Sequence, residues 1–297
     1  MDLYVKNKAL RYRLEAAGAL LPLGLFKLLG LEASSAFSGW LCRTIGPHVG
    51  ATRRARKNIE RALPDLSASE VDQIIRDMWD NIGRTIAEYA HLDRFREPAN
   101  RSRVSVRGMD QLLALKDRGA LLVSGHFANW ELMPLAVNLN GLEGGEVYRH
   151  ANNPAINNWI TKLRSRAIFP VQIPKGPKGA RTLIRTVREH GFICMLVDQK
   201  MNDGIEATLF GRKAMSPAAS GTMATRYGIP IVPVSMKRTG GVHFEQVFHA
   251  PIEVNMDADP KQETARITQV LNDFLEAEIR ANPAQWLWLH NRWPADA

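Results

Sequence analysis

The sequence predicts a mixed α/β fold, in which a central sheet flanked by helices follows a helical, membrane-associating N-terminal part. After residue 100, short apolar runs alternate with stretches of helical periodicity, a pattern typical of α/β proteins. Before residue 100 the chain is helix-compatible, and its first 61 residues are both apolar and basic. A length of 297 residues suits one large α/β domain with additions. We therefore expect a helical membrane-associating region over residues 1–100 and an α/β domain over residues 101–297.

The composition excludes several classes of protein. Charged residues make up 23% of the chain and apolar residues 45%, which are ordinary globular values, so wholesale disorder is not expected. Two cysteines, Cys42 and Cys194, are too few for a disulfide framework or a zinc cluster and suit a reducing compartment. The chain has no uninterrupted run of 18 apolar residues, which excludes a polytopic membrane protein.

The positive charge is concentrated at the N-terminus. Residues 1–61 hold eleven Lys and Arg against four acidic residues, so this segment carries +7 of the net charge of +9. It also holds the most apolar stretch, residues 16–31, which Pro22 and Lys27 interrupt. As a helix this stretch would span about 24 Å, against roughly 30 Å of hydrocarbon core. We expect it to attach the chain to a membrane surface; a cleaved signal peptide and a buried core helix are the alternatives.

Residues 51–61 form a basic, helix-compatible segment beside that apolar stretch. Cations in such a position are attracted to anionic lipid headgroups by about 1 kcal/mol each. Nucleic acid is the alternative binding partner for this basic segment. The segment has no interleaved aromatic residues and no recognisable binding motif, so we expect no nucleic-acid partner.

A long amphipathic helix is predicted next. Ser67 and Glu70 have the spacing of a capping box, which marks a helix N-terminus. The apolar residues that follow at helical spacing predict a face packed against the α/β part: Val71, Ile74, Ile75, Met78, Ile82 and Ile86. Pro98 closes the helical region.

The α/β part is predicted from its apolar runs and helical periodicity. Strands are expected at residues 104–106, 120–124, 145–149, 168–173, 192–197, 231–236 and 242–254. Helices are expected at residues 111–117, 129–139, 155–166, 180–190, 218–227 and 261–281.

His126 and Glu131 lie where the apolar strand at residues 120–124 runs into a Gly-containing turn and then a helix. Five residues apart on a regular helix, their side chains would point about 140° from each other and could not meet. If His126 instead lies in the turn, its imidazole can fold back onto Glu131, which gives a base held by an orienting acid. The H-x4-E spacing alone is more often structural. The carboxyl end of a strand followed by a helix N-terminus, however, is where anionic ligands are expected.

Other chemistries are not indicated. The remaining histidines considered as ligands show no mutual metal spacing, so no metal is expected: His91, His150, His190, His243, His249 and His290. Cys194 lies within an apolar strand and is expected in the core. Ser124 is too close to His126 on one strand and turn to act as its nucleophile, and no nucleophile elbow, phosphate-binding loop or dinucleotide fingerprint occurs.

The sequence resembles the late acyltransferases of lipid A biosynthesis, of the lauroyl and myristoyl types, within the lysophospholipid acyltransferase superfamily. GHFANWE at residues 125–131 is similar to the catalytic H-x4-D/E motif. Further blocks match in order: RRARKNIERALPDLSASE at 53–70, YRHANNPAINNWITKLRSR at 148–166, VDQK at 197–200, FGRKAMSPAASGTMATRYGIPIVPV at 210–234 and PAQWLWLHNRW at 283–293. Two departures are visible: the last block reads His290, Asn291, Arg292 where H-R-R is more usual, and the apolar anchor is interrupted.

The resemblance implies transfer of a fatty acyl chain from acyl carrier protein to a hydroxyl of a lipid A precursor of the Kdo-lipid IVA type. It implies that His126 is the general base, that Glu131 orients it, and that no covalent acyl-enzyme forms. No cofactor is expected beyond the carrier-protein thioester. The expected location is the cytoplasmic face of the inner membrane. Another glycolipid or lysophospholipid acceptor, an acyl thioesterase and a noncatalytic lipid-binding protein are the alternatives.

The resemblance also implies substrate-binding residues. Arg164 matches an arginine important for activity, and a guanidinium suits a phosphorylated glycolipid because it can bind phosphate through two parallel hydrogen bonds. Arg149, after the preceding strand, is a second candidate. Asp198 and Gln199 end the strand at 192–197, where we expect them to orient Arg164 or shape the acceptor pocket, with a turn or helix cap as the alternative for Asp198. Lys175 and Lys200 are interpreted as surface cations near the anionic carrier protein.

Overall fold

The computed structural model describes residues 2–293, with the side chains of residue 8 and of residues 10–293. Its N-terminal part is helical: α1 (Asp2–Leu29), α2 (Leu31–Ile45), α3 (Thr52–Ala62) and α4 (Ala68–Glu88). The strands that follow are β1 (Val104–Arg107), β2 (Leu121–Ser124), β3 (Gly144–Tyr148), β4 (Val171–Pro174), β5 (Phe192–Leu196), β6 (Ile205–Leu209), β7 (Arg212–Ser216), β8 (Ile231–Gly240) and β9 (His243–Phe248). The helices between and after them are α5 (Met109–Ala114), α6 (Met133–Leu139), α7 (Pro154–Ala167), α8 (Pro177–Arg188), α9 (Ala219–Tyr227) and α10 (Pro260–Ala281).

Seven strands form the central sheet in the order β1-β9-β8-β2-β5-β3-β4, and β6 and β7 form a separate hairpin. Strands β8, β2, β5, β3 and β4 are parallel to one another, whereas β9 pairs antiparallel with β8 and parallel with β1. The sheet is therefore mixed, as the sequence predicts. Because β5 lies between β2 and β3, the strand order reverses beside β2, and the crevice at that point is where α/β proteins bind ligands.

Apolar residues cover both faces of the sheet. Along β2, Leu121 and Val123 belong to one core cluster, which includes residues of α4, α9 and α10. Leu122 points the other way, into a second cluster with residues of α5 and α6. The alternation follows from the period of two along a strand, and burial on both faces explains why β2 reads as one continuous apolar run.

Helix α4 begins as predicted. The Ser67 hydroxyl accepts a hydrogen bond from the Glu70 backbone N–H at 3.3 Å, and the Ser67 backbone N–H donates to Glu70 Oε2 at 2.7 Å. The predicted apolar stripe is buried from Val71 to Met78, but it turns outward at its end, where Ile86 is 46% exposed. The buried part of this stripe lies in the same core as the sheet. The division of the chain near residue 100 stays a prediction.

Helix α1 exposes most of the apolar side chains that the structure describes on it. The face of this helix that packs against the protein includes the buried Ala16 and Phe26. The leucines that point outward are 54–84% exposed: Leu10, Leu14, Leu21, Leu25 and Leu28. Within the described part of the chain, none of the helices combines the length and the apolarity needed to cross a membrane.

The sequence and the structure differ at three main elements. The β6–β7 hairpin is missing from the prediction, because its two turn residues, Phe210 and Gly211, have φ angles of 54° and 66° without the usual Asn-Gly signal. Strand β4 begins at Val171 rather than residue 168, since the apolar Ile168 and Phe169 are buried core residues outside the ladder. The helix predicted at 129–139 begins as a 3₁₀ turn, Trp130–Leu132, and continues as α6.

Candidate active site

His126 and Asp198 are brought together by the register of two neighbouring strands. Strands β2 and β5 are parallel, and Ser124 pairs with Leu196 at their carboxyl ends. His126 and Asp198 each lie two residues beyond this pair. Both strands are apolar and buried. The polar residues that follow each strand therefore lie at the carboxyl edge of the sheet.

The His126 imidazole is held by Asp198. Its Nδ1 lies 2.7 Å from Asp198 Oδ1, and the His126 backbone N–H donates to Asp198 Oδ2 at 2.9 Å. Trp286 donates its indole N–H to the same Oδ2 at 2.8 Å. Burial alone would raise the pKa of Asp198, but the His126 charge and the hydrogen bonds from His126 outweigh it and hold this pKa well below its usual range. An ionised Asp198 fixes Nδ1 of His126 as the protonated nitrogen and leaves Nε2 as the base.

The structure contradicts the prediction that Glu131 orients His126. Among the described residues, the Glu131 carboxylate accepts hydrogen bonds from Arg164, Tyr89 and Trp130. The Arg164 Nε donor lies 2.6 Å from Glu131 Oε2. The physical reason is local: the 3₁₀ turn Trp130–Leu132 carries Glu131 into the interior, fully buried, while Asp198 already occupies Nδ1 of His126.

Glu131 and Arg164 form a buried ion pair. Burial would raise the pKa of Glu131, but the Arg164 charge and its hydrogen bonds outweigh it and lower this pKa. Burial also raises the pKa of the Tyr89 hydroxyl, and the Glu131 charge raises it further. The sequence predicts that Arg164 binds phosphate or is oriented by Asp198. In the structure the Arg164 side chain is 13% exposed and its guanidinium contacts Glu131, so a role in binding substrate stays a prediction.

A second carboxyl group, Glu146 on β3, lies beside this pair. Its Oε1 is 3.9 Å from Arg164 Nε, and Gln172 donates to its Oε2 at 3.4 Å. Burial raises the pKa of Glu146 to about 7 against the opposing charge of Arg164, and the Glu131 charge raises it further. Two buried carboxyl groups therefore share one guanidinium, and Glu131 holds it more closely.

Gln199 lies between two imidazoles. Its carboxamide nitrogen is 3.3 Å from Nε2 of His126 and 2.9 Å from Nε2 of His290. The rings of His126 and His290 are 5.1 Å apart at their centroids, and Trp130 packs against His126 at the same distance. Burial lowers the pKa of His290 to about 4, and the His126 charge lowers it further. His290 is therefore neutral at pH 7, and both Gln199 and His290 flank the basic nitrogen of His126.

The C-terminal segment supports the site in a way that the sequence does not predict. The Leu287 backbone N–H donates to the His126 carbonyl at 3.2 Å, and the Ala128 backbone N–H donates to the Gln285 carbonyl at 2.9 Å. The turn between them includes Ala128, which has an unusual φ of 47°. The density of aromatic residues at 286–293 is the signal in the sequence that could have pointed to this segment.

Helix α4 holds the same turn from the opposite side. Asn81 and Thr85 donate side-chain hydrogen bonds to the Ala128 carbonyl at 3.2 and 3.0 Å. Next to them the buried Glu88 accepts from Asn129 at 2.8 Å and pairs with Arg238 at 2.5 Å. Because non-glycine residues seldom adopt positive φ, these contacts are what maintain the turn that presents His126.

Arg149 lies apart from this cluster. It follows β3 directly and is exposed at the carboxyl edge of the sheet. Lys200 follows Gln199 and is half-buried. Among the side chains that the structure describes, no group of three or more His, Cys, Asp and Glu residues has the geometry to hold a metal ion.

The arrangement supports general-base chemistry. The His126 side chain is 16% exposed, whereas Asp198, which holds its Nδ1, is only 1% exposed. A base with a buried orienting acid can remove a proton and remain stabilised as an imidazolium.

Comparison with known proteins gives a consistent family. The family model described as bacterial lipid A biosynthesis acyltransferase matches residues 6–295. A lipid A biosynthesis palmitoleoyltransferase from Escherichia coli is 24% identical over 282 residues, covering 84% of this chain and 83% of that protein. A phosphatidylinositol mannoside acyltransferase from Mycobacterium tuberculosis is 24% identical over 259 residues, covering 83% and 78%. Among solved structures, the 1-acyl-sn-glycerophosphate acyltransferase PlsC from Thermotoga maritima aligns with 16% identity and a TM-score of 0.39, covering 91% of this chain and 98% of that chain.

Proposed function

Because the chain belongs to the bacterial lipid A biosynthesis acyltransferase family, we propose that it transfers a fatty acyl chain from acyl carrier protein to a hydroxyl of a lipid A precursor of the Kdo-lipid IVA type. The observation that carries this proposal is the pairing of His126 with the buried Asp198 at the carboxyl edge of the sheet. A hydroxyl acceptor needs such a base, because an alcohol is a poor nucleophile until its proton is removed.

In the proposed mechanism, the acceptor hydroxyl takes the place of Gln199 at Nε2 of His126. As His126 removes the proton, the hydroxyl oxygen attacks the thioester carbonyl and a C–O bond forms. The tetrahedral intermediate collapses with cleavage of the C–S bond, and His126 returns the proton to the departing thiolate. Asp198 stabilises the imidazolium throughout, and no acyl-enzyme forms. A base of this kind contributes about 10²- to 10⁴-fold in rate, so positioning and oxyanion stabilisation supply the rest.

Glu131 takes a positioning role in this mechanism in place of the orienting role first expected. It accepts hydrogen bonds from Arg164 and from the Trp130 indole N–H, the latter at 3.0 Å. Trp130 packs against the His126 ring. Glu131 thus acts on His126 through Trp130, while Arg164 on α7 is fixed at the same site.

The acceptor class rests on the family. The lipid A and phosphatidylinositol mannoside relatives are equally similar to this chain, each at 24% identity. A phosphatidylinositol mannoside is therefore the second candidate acceptor. Both acceptors are anionic glycolipids with a free hydroxyl, and the same His126 chemistry serves both.

A membrane surface at the cytoplasmic face of the inner membrane is the proposed location. Support comes from the exposed leucines of α1 and from Phe37 and Trp40 on α2, which are 45% and 59% exposed. The exposed cations of α3 follow in the chain and suit anionic headgroups. A surface with insertable apolar groups next to cations is typical of proteins that lie on a membrane.

The test uses lipid extracts from cells with and without the protein, analysed by mass spectrometry. We expect the deletion to lose one acyl mass from lipid A and the wild-type chain to restore it. His126→Ala should fail to restore it, whereas His243→Ala, which removes an exposed histidine on β9, should succeed. In vitro, the purified protein should form more acylated acceptor than free fatty acid. An unchanged lipid A profile, or hydrolysis without transfer, would contradict the proposal.

A further inference from the structure

Two cations follow neighbouring strands at the carboxyl edge of the sheet, the edge that also carries His126 and Asp198. Strands β3 and β4 are parallel neighbours, and Tyr148 pairs with Pro174 at their carboxyl ends. Arg149 and Lys175 are the next residues on these strands. The Lys175 backbone N–H donates to the Tyr148 carbonyl at 2.7 Å, so the strands remain adjacent at this point. In-register residues of parallel strands point to the same face and lie about 5 Å apart.

Within the described residues, these two cations have no acidic partner of their own. Among the side chains that the structure describes, neither Arg149 nor Lys175 makes an ion pair or a side-chain hydrogen bond. The Lys175 side chain is exposed as a whole, but desolvation by neighbouring atoms lowers the pKa of its ammonium group. The Asp198 charge opposes this shift and the Arg149 charge adds to it. The charges of Asp198 and Arg149 therefore both act on the pKa of Lys175.

The only acid that acts on Lys175 within the described structure is already engaged, because Asp198 accepts hydrogen bonds from His126 and Trp286. Like charges held close together repel, and the repulsion is removed when an anion binds between them. A phosphate is the anion that such a pair fits: the guanidinium can donate two parallel hydrogen bonds and the ammonium acts as a point charge.

The position of this pair favours a lipid phosphate. The loop that carries Arg149 is tied to α1, since the Asn153 carboxamide donates to the Tyr12 carbonyl at 2.7 Å. Helix α1 is the element with the exposed leucines. A lipid held along α1 would have its tails on the apolar side and its headgroup beside Arg149 and Lys175.

We propose that Arg149 and Lys175 form a phosphate-binding pair that holds the phosphate of the acceptor glycolipid beside His126. This proposal rests on the proposed acyl transfer and adds to it the group that the acceptor must carry. It moves Lys175 from the surface expected for the carrier protein to the acceptor site. The phosphodiester of the donor's prosthetic arm is the other source of the same chemistry.

The test compares Arg149→Gln, Lys175→Gln and the double variant with Lys178→Gln, which removes an exposed cation three residues along the chain. Steady-state kinetics use a phosphorylated disaccharide lipid and its dephosphorylated counterpart with the same carrier-protein donor. Each single variant should raise the KM for the phosphorylated acceptor about tenfold, as expected for one lost charge-assisted phosphate contact, with kcat within about twofold. The double variant should bind both acceptors equally, and Lys178→Gln should match the wild type.

Binding is measured separately from turnover, by titration of the detergent-solubilised phosphorylated and dephosphorylated lipids. The binding measurement does not depend on which acyl donor the protein uses. A failure of the transfer reaction can therefore be distinguished from a failure of the phosphate site. A rise in the KM for the donor alone would overturn the assignment to the acceptor and would give the phosphate site to the donor. Unchanged binding and unchanged KM values for both substrates in the double variant would overturn the proposal.

Discussion

Nδ1 of His126 lies 2.7 Å from Oδ1 of Asp198, although 72 residues separate the two in the chain. The contact exists because β2 and β5 are parallel neighbours with Ser124 opposite Leu196, which places both residues at the same step beyond the sheet. Glu131, only five residues from His126, instead pairs with Arg164. The carboxylate nearest in sequence and the carboxylate nearest in space are different residues with different tasks.

Asp198→Asn should abolish most activity without unfolding the protein. The amide cannot stabilise the imidazolium, and it can hold His126 in the wrong tautomer, so kcat should fall about 10²- to 10⁴-fold. The measurement is kcat for acyl transfer, with circular dichroism to confirm the fold. A variant whose kcat stays within threefold of wild type would show that Asp198 does not orient the base.

Glu131→Gln should act first on stability. It removes the closer of the two carboxylates from the buried Arg164 guanidinium and leaves only Glu146, 3.9 Å away, which should cost about 3 kcal/mol of unfolding free energy. Tyr89→Phe is the milder control, because it removes one hydrogen bond to Glu131 and should cost about 1 kcal/mol. Urea unfolding monitored by fluorescence measures both. If Glu131→Gln lost activity while its unfolding midpoint stayed at the wild-type value, Glu131 would have a direct part in the chemistry.

Glu88→Gln should weaken the support of the active-site turn. Glu88 is fully buried and binds Arg238, Asn129 and Ser35 together. Breaking the buried pair with Arg238 should lower the free energy of unfolding by about 3–5 kcal/mol. Thermal unfolding of Glu88→Gln beside Glu276→Gln, which disrupts a more exposed pair with Arg280, provides the check. Equal losses in the two variants would contradict this assignment.

Glu146→Gln should stabilise the protein at high pH only. The pKa of Glu146 is raised by burial to about 7 from its ordinary value of 4.5. Its contribution to stability is therefore fully present below about pH 4.5 and is lost as the pH rises through 7, because the folded state must then hold a buried charge. The glutamine cannot ionise, so the variant should equal wild type near pH 4.5 and exceed it by about 1–3 kcal/mol at pH 8. Denaturant titrations at the two pH values measure the difference, and a gain that is the same at both would exclude this cause.

Replacement of Leu21, Leu25 and Leu28 by Ser should reduce membrane binding and leave the fold intact. The three side chains are 54–84% exposed, so the fold loses little apolar burial, whereas each inserted leucine contributes about 1.5–3 kcal/mol to partition into a membrane. Sedimentation with vesicles containing anionic lipid should show binding at least tenfold weaker than wild type. Unchanged sedimentation would place the membrane contact elsewhere on the protein.

Local patterns in the sequence were sufficient for most secondary structure. The capping box at Ser67, the buried strands and the long C-terminal helix are set by neighbours within one or two turns, so they are visible without a structure. The β6–β7 hairpin was not visible, because its turn is formed by Phe210 and Gly211 rather than by residues that favour positive φ at both positions.

The sequence by itself determined that His126 and Asp198 stand at the carboxyl ends of buried strands, and it indicated the family through blocks that match in order. Only the tertiary structure decided which acid serves the base. The order of strands, with β5 inserted between β2 and β3, sets which polar residues become neighbours, and that order depends on packing across the whole sheet. The docking of Trp286 and His290 was decided in the same way, since contacts between segments far apart in the chain leave no local periodicity to detect.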